Sequence, residues 1–254
     1  MFQLNQVSFA IPQRTLLQPV SLTFEQGKVY GLIGHNGSGK STLIKLMARQ
    51  QKLSGGEILV NQKPIEQWGS REFAREVAYL PQHLPTATQL TTCELIAMGR
   101  YAWQGLFGRK NEQDQQIIQQ AMELTHTTKF TDQLVDTLSG GERSRIWLAM
   151  LLAQQSNFLL LDEPLAPLDI AHQVDVMQLI HKLSRELNLG IVIVIHDINL
   201  ASRFCDHLVA LHSGHLLSQG NSAEIVNPSS LNAIYGIDLN VISHPQAGCP
   251  VSFF

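Results

Sequence analysis

Cysteine is scarce in this 254-residue chain, and what there is cannot staple it. Cys93, Cys205 and Cys249 are odd in number and far apart, the pattern of reduced thiols and not of a disulfide framework. Long apolar runs are missing too. Ile146 to Ala153 and Ile191 to Ile195 are the longest, well short of the about 20 residues that a membrane-crossing helix needs. There is no basic excess: the net charge is −3, which removes the electrostatic footprint of a nucleic-acid binder. The first ten residues alternate like a strand and carry no basic leader segment, so a secretory signal is not expected. Internal repeats, low-complexity tracts and long linkers do not occur. What remains is ordinary globular enzyme composition, 44% hydrophobic and 15% charged, with chain enough for one large domain or two small ones.

The hydrophobic pattern orders the chain. Leu4, Val7 and Phe9, then Val20, Leu22 and Phe24, alternate as strands, and Val29 to Ile33 is a short apolar strand. It runs straight into a glycine-rich stretch, after which Leu43, Leu46 and Met47 share one helix face. A strand at 57–60, a helix near 71–76 and a strand at 77–80 follow. From about 85 to 155 the pattern is helical with Gln-rich faces. The alternation of strand and helix then returns: strand 158–162, helix 171–187, strand 191–195, helix 199–204, strand 208–212. Phe158 to Leu161 and Ile191 to Ile195 are apolar without alternation, which predicts a parallel sheet covered on both faces.

Chemistry gathers where these strands end. Gly34-His35-Asn36-Gly37-Ser38-Gly39-Lys40-Ser41-Thr42 fits a phosphate-binding loop, and it lies between a strand and a helix as that motif requires. Glycines let the backbone approach a phosphate, and the helix N-terminus favours an anion. The Lys of such a loop, Lys40, reaches the β- and γ-phosphates, and its Ser, Ser41, binds Mg²⁺. Asp162 and Glu163 close a buried strand at what would be the carboxyl edge of the sheet. There Asp162 would contact Mg²⁺ directly or through water, and Glu163 could polarise an attacking water. His196 and Gln82 each follow an apolar strand and would come to the same edge. Leu138-Ser139-Gly140-Gly141-Glu142 opens a helix expected over 143–153, with Ser139 as its cap. A Ser hydroxyl, Gly amides and a helix N-terminus make a second anion site, and two anion sites for one nucleotide make sense if two chains sandwich it.

The phosphate loop and Leu138 to Glu142, at this spacing, resemble the ATP-binding cassette, the motor subunit of ABC transporters. The resemblance covers about residues 2–235. It implies an α/β fold, a P-loop NTPase (RecA-like) core with an N-terminal antiparallel β portion and an inserted helical subdomain. The whole of 1–254 would be one ATPase domain, with 1–84 and 156–254 as nucleotide-binding core and 85–155 as the helical subdomain. It implies ATP and Mg²⁺, the metal on Ser41, Gln82 and Asp162. Glu163 would be the catalytic carboxylate, His196 a γ-phosphate contact and Gln82 a contact to metal or water. Ser139, Gly140 and Gly141 of a second copy would close the site in a head-to-tail homodimer, with Asp169 at the contact. The partners implied are that second copy, an integral membrane permease and, indirectly, a substrate-binding protein, at the cytoplasmic face of a bacterial inner membrane. Nucleic acid is not among them. Met98 to Tyr101, Asp169 to Val176, His196 to Asn199 and Pro250 to Phe253 are similar to ATPases of iron(III)-hydroxamate (ferrichrome) importers.

The chain departs from the family pattern in three places. Ile11 stands where an adenine-stacking aromatic is usual, Ala166-Pro167-Leu168-Asp169 replaces Ser-Ala-Leu-Asp, and Ser144 replaces a Gln. Other ferric siderophores, haem and vitamin B12 are alternative cargoes. A soluble cassette acting on nucleic acid or ribosomes is the alternative of another class, opposed by a single cassette and an acidic balance. Tyr101, Trp103 and Phe107, with Gly105 and Gly108, read either as helical core or as a docking surface for the permease. His196, Cys205, His207, His212 and His215 match no zinc spacing.

Overall fold

Strands that are apolar at every position separate two cores. In the computed structural model, which describes residues 1–104, 112–166 and 168–254, the chain opens with a hairpin of β1 (Phe2–Ile11) and β2 (Arg14–Phe24). β3 (Val29–Ile33) enters the glycine loop and α1 (Lys40–Met47) leaves it. β4 (Gly55–Val60), β5 (Lys63–Pro64), α2 (Ser70–Glu76) and β6 (Val77–Leu80) follow. Then come α3 (Thr92–Ala97), α4 (Glu112–Leu124) and α5 (Gly140–Ala153), and after them β7 (Phe158–Leu161), α6 (Ile170–Glu186), β8 (Gly190–Val194), α7 (Ile198–Phe204) and β9 (His207–His212). The chain closes with β10 (His215–Gly220), α8 (Ser222–Ile225), α9 (Pro228–Tyr235), β11 (Asn240–Ser243) and β12 (Pro250–Phe253).

The central sheet runs β10-β9-β3-β8-β7-β6, parallel except for β10, which pairs antiparallel with β9. An antiparallel sheet, β2-β1-β4-β5, covers one side. Successive residues of each central strand feed opposite cores. Leu159, Leu161, Ile191 and Ile193 pack with the helices α3 to α7, whereas Phe158, Leu160, Val192 and Val194 pack with α1 and the antiparallel sheet. With both faces covered, no position is left for a polar residue, which is why alternation is lost. β3, β6, β7 and β8 share a direction, so all four carboxyl ends lie on one edge.

α3, α4 and α5 pack on one another through Ile96, Ile118, Met122, Ile146 and Ala149. Arg100 ties them together: it pairs with Asp114 at 2.7 Å, both side chains 4–5% exposed, and donates to Ala153 O at 2.8 Å. α5 begins at Gly140, not at 143 as the sequence pattern suggests, because Ser139 and Glu142 form a reciprocal capping box that sets the first turn. Tyr101 is 69% exposed and Trp103 is half-exposed, so neither is helical core. The guanidinium of Arg71 lies over the ring of Tyr101 and that of Arg75 over Trp103. Phe107, Gly105 and Gly108 lie outside the described residues. β11 and β12 form a hairpin that straps α7: Asn199 exchanges hydrogen bonds with the Ser252 backbone at 2.8 and 3.0 Å.

Candidate active site

The glycine loop folds over its own lysine. Lys40 Nζ donates to Gly34 O at 2.8 Å and His35 O at 3.0 Å, and burial holds its pKa below the usual lysine value, against the opposing pull of Glu163 and Asp162. Gly34 has φ +140°, and a Cβ there would come within 2.1 Å of Leu211 O. Only glycine fits that approach. The turn at Ser213 and Gly214 buttresses the loop from behind: Gly214 N–H donates to Ser38 O at 3.0 Å, and Ser213 N–H to His35 Nε2 at 3.3 Å. Asn36 and Thr42 lie in the same loop and first turn of α1. Gly39, with φ +105°, is the N-cap of α1 and supplies no side-chain cap, so the first amides of that helix face the loop without one.

The strand ends bring the acids beside it. Ser41 Oγ donates to Asp162 Oδ1 at 2.9 Å, while Asp162 Oδ2 and Ser38 Oγ are buried with no hydrogen-bond partner among the described residues. A buried polar atom left unpaired costs about 1–3 kcal/mol. A cation at Asp162 and an anion at Ser38 would each satisfy one. The donor set is oxygen only, as a hard divalent cation prefers, so the residues fit Mg²⁺ with a phosphate. Burial raises the pKa of Asp162, opposed by the Ser41 bond and by Lys45. Tyr79, one strand over, is pushed up to about 12 by its own burial and by Asp162.

Glu163 sits with φ +53°, a left-handed conformation that a non-glycine residue seldom adopts and that costs on the order of 1–3 kcal/mol. The conformation aims its carboxylate between two neighbours. Gln82 Nε2 donates to Oε2 at 2.9 Å, and His196 Nε2 lies 2.9 Å from Oε1. Gln82, Glu163 and His196, which are 81 and 33 positions apart in sequence, thus meet as the sequence pattern predicts. The trio can hold a water and take its proton.

Ser139, Gly140 and Gly141 lie elsewhere, at the exposed N-terminus of α5. Ser139 N–H and Oγ both bond Glu142 Oε2, at 2.9 and 2.7 Å, which holds the Glu142 carboxyl below its usual range. Asp169 caps α6, accepting from His172 N–H at 2.9 Å. No hydrogen bond between Ser139 and the phosphate loop occurs within one chain among the described residues. Ile11 is exposed at the tip of the β1–β2 hairpin, and Ala166 is exposed, while Pro167 lies outside the described residues. The buttress at Ser213 and Gly214 and the role of Tyr79 escape a sequence reading. A Ser-Gly pair signals a turn, but nothing local says that the turn supports a loop 175 or more residues earlier.

Comparison with known proteins follows the same lines. A family model described as "ABC transporter" matches residues 17–166. The chain is 37% identical over 247 residues to the iron(3+)-hydroxamate import ATP-binding protein of Bacillus subtilis (strain 168), covering 97% of this chain and 92% of the relative. It is 38% identical over 97% of its length to the ferric enterobactin transport ATP-binding protein of Escherichia coli (strain K12), 91% of which is covered. Against the petrobactin import ATP-binding protein of Bacillus anthracis it is 40% identical, over 95% of this chain and 89% of the relative. Among solved structures, it superposes with a TM-score of 0.75 on the dimeric post-hydrolysis state of an ATP-binding cassette bound to ADP and Pi, at 23% identity over 87% of this chain and 98% of that one.

Proposed function

We propose, from the premise that this chain belongs to the ABC transporter family of ATP-binding subunits and is an ATPase, that it powers the uptake of ferric siderophores, hydroxamates first, through a separate membrane permease. The observation that carries the catalytic half is the Glu163 carboxylate held between Gln82 and His196, 2.9 Å from each. What supports the cargo is the set of relatives, ATP-binding proteins named for iron(3+)-hydroxamate import, ferric enterobactin transport and petrobactin import, at similar identity.

The residues take these roles. Backbone amides of 34–42 bind the phosphates of ATP, with Lys40 neutralising charge that develops on the γ-phosphate. Ser41, Asp162 and Gln82 would hold Mg²⁺, which would supply positive charge against that of the phosphates. Glu163 accepts the proton of the attacking water, and Gln82 and His196 orient it. Ser139, Gly140, Gly141 and Asp169 of a second, head-to-tail copy complete the site. The permease holds the subunit at the cytoplasmic face of the inner membrane; no helix among the described residues is long and apolar enough to cross a membrane. Residues 85–155 act as the helical subdomain that moves against the core of 1–84 and 156–254. Tyr101 and Trp103 of that subdomain, with Arg71 and Arg75 of the core over their rings, form the face that docks on the permease, and a substrate-binding protein delivers cargo from the other side.

Uptake of radiolabelled ferrichrome in cells lacking this protein tests both halves. Rescue by wild type and not by Glu163→Gln is the expected result. Unchanged uptake in the deletion strain moves the cargo to another ferric siderophore. Rescue by Glu163→Gln equal to wild type removes Glu163 from its role.

A further inference from the structure

One imidazole joins the segment that leaves Glu163 to the N-terminus of α5. A Cβ placed on Gly141 would lie 2.4 Å from Cδ2 and 2.9 Å from Cγ of His172, so the ring fills the space that any side chain at 141 would need. Its Nδ1 lies 2.8 Å from Asp169 Oδ1, the oxygen that also accepts from His172 N–H, so swinging the ring aside breaks that bond. The neighbouring residue, Gln173, holds the loop that leads from Glu163: its Nε2 donates to Leu165 O at 3.2 Å and to Leu168 O at 3.1 Å. Both leucines are buried. Three residues along α6, Asp175 pairs with Arg145 of α5 at 3.5 Å. The first turn of α6 therefore grips the hydrolytic loop with one residue and the N-terminus of α5 with the residue before it.

This contact gains meaning from the two-protomer site proposed above, on which the inference rests. In that site Glu163 serves the nucleotide bound by its own chain, while Ser139, Gly140 and Gly141 serve the nucleotide bound by the other. We propose that His172 is a positioning residue that couples the two nucleotide sites of the dimer, by holding Asp169, beside the Leu165 and Leu168 carbonyls that Gln173 grips, in register with the N-terminus of α5. Close-packed groups transmit a displacement instead of absorbing it. When Gly141 shifts toward the partner's phosphate, the ring packed on it follows, and the Asp169 carboxylate and the residues behind it are re-aimed. Glycine at 141 is then needed on two sides, for the phosphate outside and for the imidazole inside.

The test is the ATP-concentration dependence of hydrolysis by the full-length chain. Wild type should show a Hill coefficient between about 1 and 2, falling toward about 1 in His172→Ala. Gly141→Ala should slow turnover about tenfold or more, since its methyl drives the ring off Asp169. The pair Gly141→Ala with His172→Ala should turn over at least about threefold faster than Gly141→Ala alone, a coupling that independent sites would not show. His172→Gln, which keeps a donor for Asp169, should retain more of the cooperativity than His172→Ala. A wild-type Hill coefficient of 1, an unchanged one in His172→Ala, or a double variant no faster than Gly141→Ala overturns the coupling. Light scattering of a Glu163→Gln chain with ATP separates this from the site itself. If Ser139→Arg leaves the ATP-driven dimer intact, the two-protomer site falls and the coupling with it. If Ser139→Arg abolishes the dimer while His172→Ala keeps full cooperativity, the coupling alone falls.

Discussion

Two helix N-termini in this molecule are candidates for the same phosphate, and they are built in opposite ways. α1 starts from Gly39 with no side-chain cap, beside a buried Ser38 hydroxyl and a buried Asp162 oxygen that have no hydrogen-bond partner among the described residues. α5 starts from Ser139, whose hydroxyl and N–H are both taken by Glu142 in an exposed capping box. The first end is unsatisfied until an anion and a cation arrive, so binding there relieves a cost already present in the fold. The second end is satisfied by its own chain. To donate to a phosphate, Ser139 must give up a 2.7 Å bond to a carboxylate held in its charged form. On the proposed function, the difference puts affinity in the first end, and the second would add its donors only where a closed dimer compensates for opening the cap.

Removing the charge at the first end should have the largest effect. Lys40→Ala deletes the cation buried against Gly34 and His35, and hydrolysis should fall by about a thousandfold or more, as when a major electrostatic contact to a transferred phosphate is lost. Binding of a fluorescent ATP analogue should weaken along with it. If only turnover falls and binding holds, affinity does not reside where the comparison puts it.

Asp162→Asn separates binding from stability at the same end. Turnover should drop by about a hundredfold, since a metal contact is lost. Stability should move the other way. Burial raises the pKa of Asp162 in the folded chain above that of the unfolded chain. Between the two values the folded state keeps a proton that the unfolded state has lost, so stability falls as pH climbs through that window and the cost is fully present above it. Thermal melts without nucleotide should therefore show Asp162→Asn more stable than wild type at pH 7, by about 1–3 kcal/mol. The gap should close as pH drops below the ordinary carboxylate range. A wild type that gains stability with rising pH through that window, relative to the variant, would show that Asp162 finds a partner when ionised.

At the second end, Ser139→Ala should cost less. Loss of the cap destabilises α5 by about 1 kcal/mol, and turnover should fall by about tenfold. Equilibrium binding of ATP to the isolated protomer should stay put. Weaker binding by the protomer would erase the distinction between the two ends.

The two ends also differ in how legible they were in the sequence. The first could be read almost completely, because strand, glycines, Lys40 and Ser41 are contiguous, and Asp162, Glu163, His196 and Gln82 each follow a run of apolar residues that marks a buried parallel strand. The second was legible as a string but not as a structure. The sequence pattern starts α5 three residues late, since glycines argue against helix until the capping box is considered. The His172 ring against Gly141 joins residues 31 apart, a contact that no periodicity encodes. The segment from β10 to β12 carries little sequence signal, because strands such as His215–Gly220 are half-exposed along their length and make a weak pattern. Tyr101 and Trp103 could be core or surface by composition, and Arg71 and Arg75, 30 and 28 residues upstream, cover their rings instead of a hydrophobic core.

The smallest expected effect lies at the far side of the first end. Ile11 pairs with Arg14 at the tip of the β1–β2 hairpin and is 44% exposed. The same hairpin reaches the phosphate loop: Leu16 O is 3.3 Å from where a Cβ on Gly39 would stand. A base attached to phosphates in the loop would extend toward that tip, where an isoleucine offers apolar contact but no ring to stack on. Ile11→Tyr should add about 1 kcal/mol of stacking, tightening ATP about threefold to tenfold. Because the base takes no part in the chemistry, the gain belongs to ground state and transition state alike, so KM should fall while kcat stays constant. Steady-state kinetics with ATP and with a non-purine triphosphate would check it. Equal tightening for both nucleotides would place the new ring away from the base, and a change in kcat would mean that the hairpin acts on the strand ends as well as on the nucleotide.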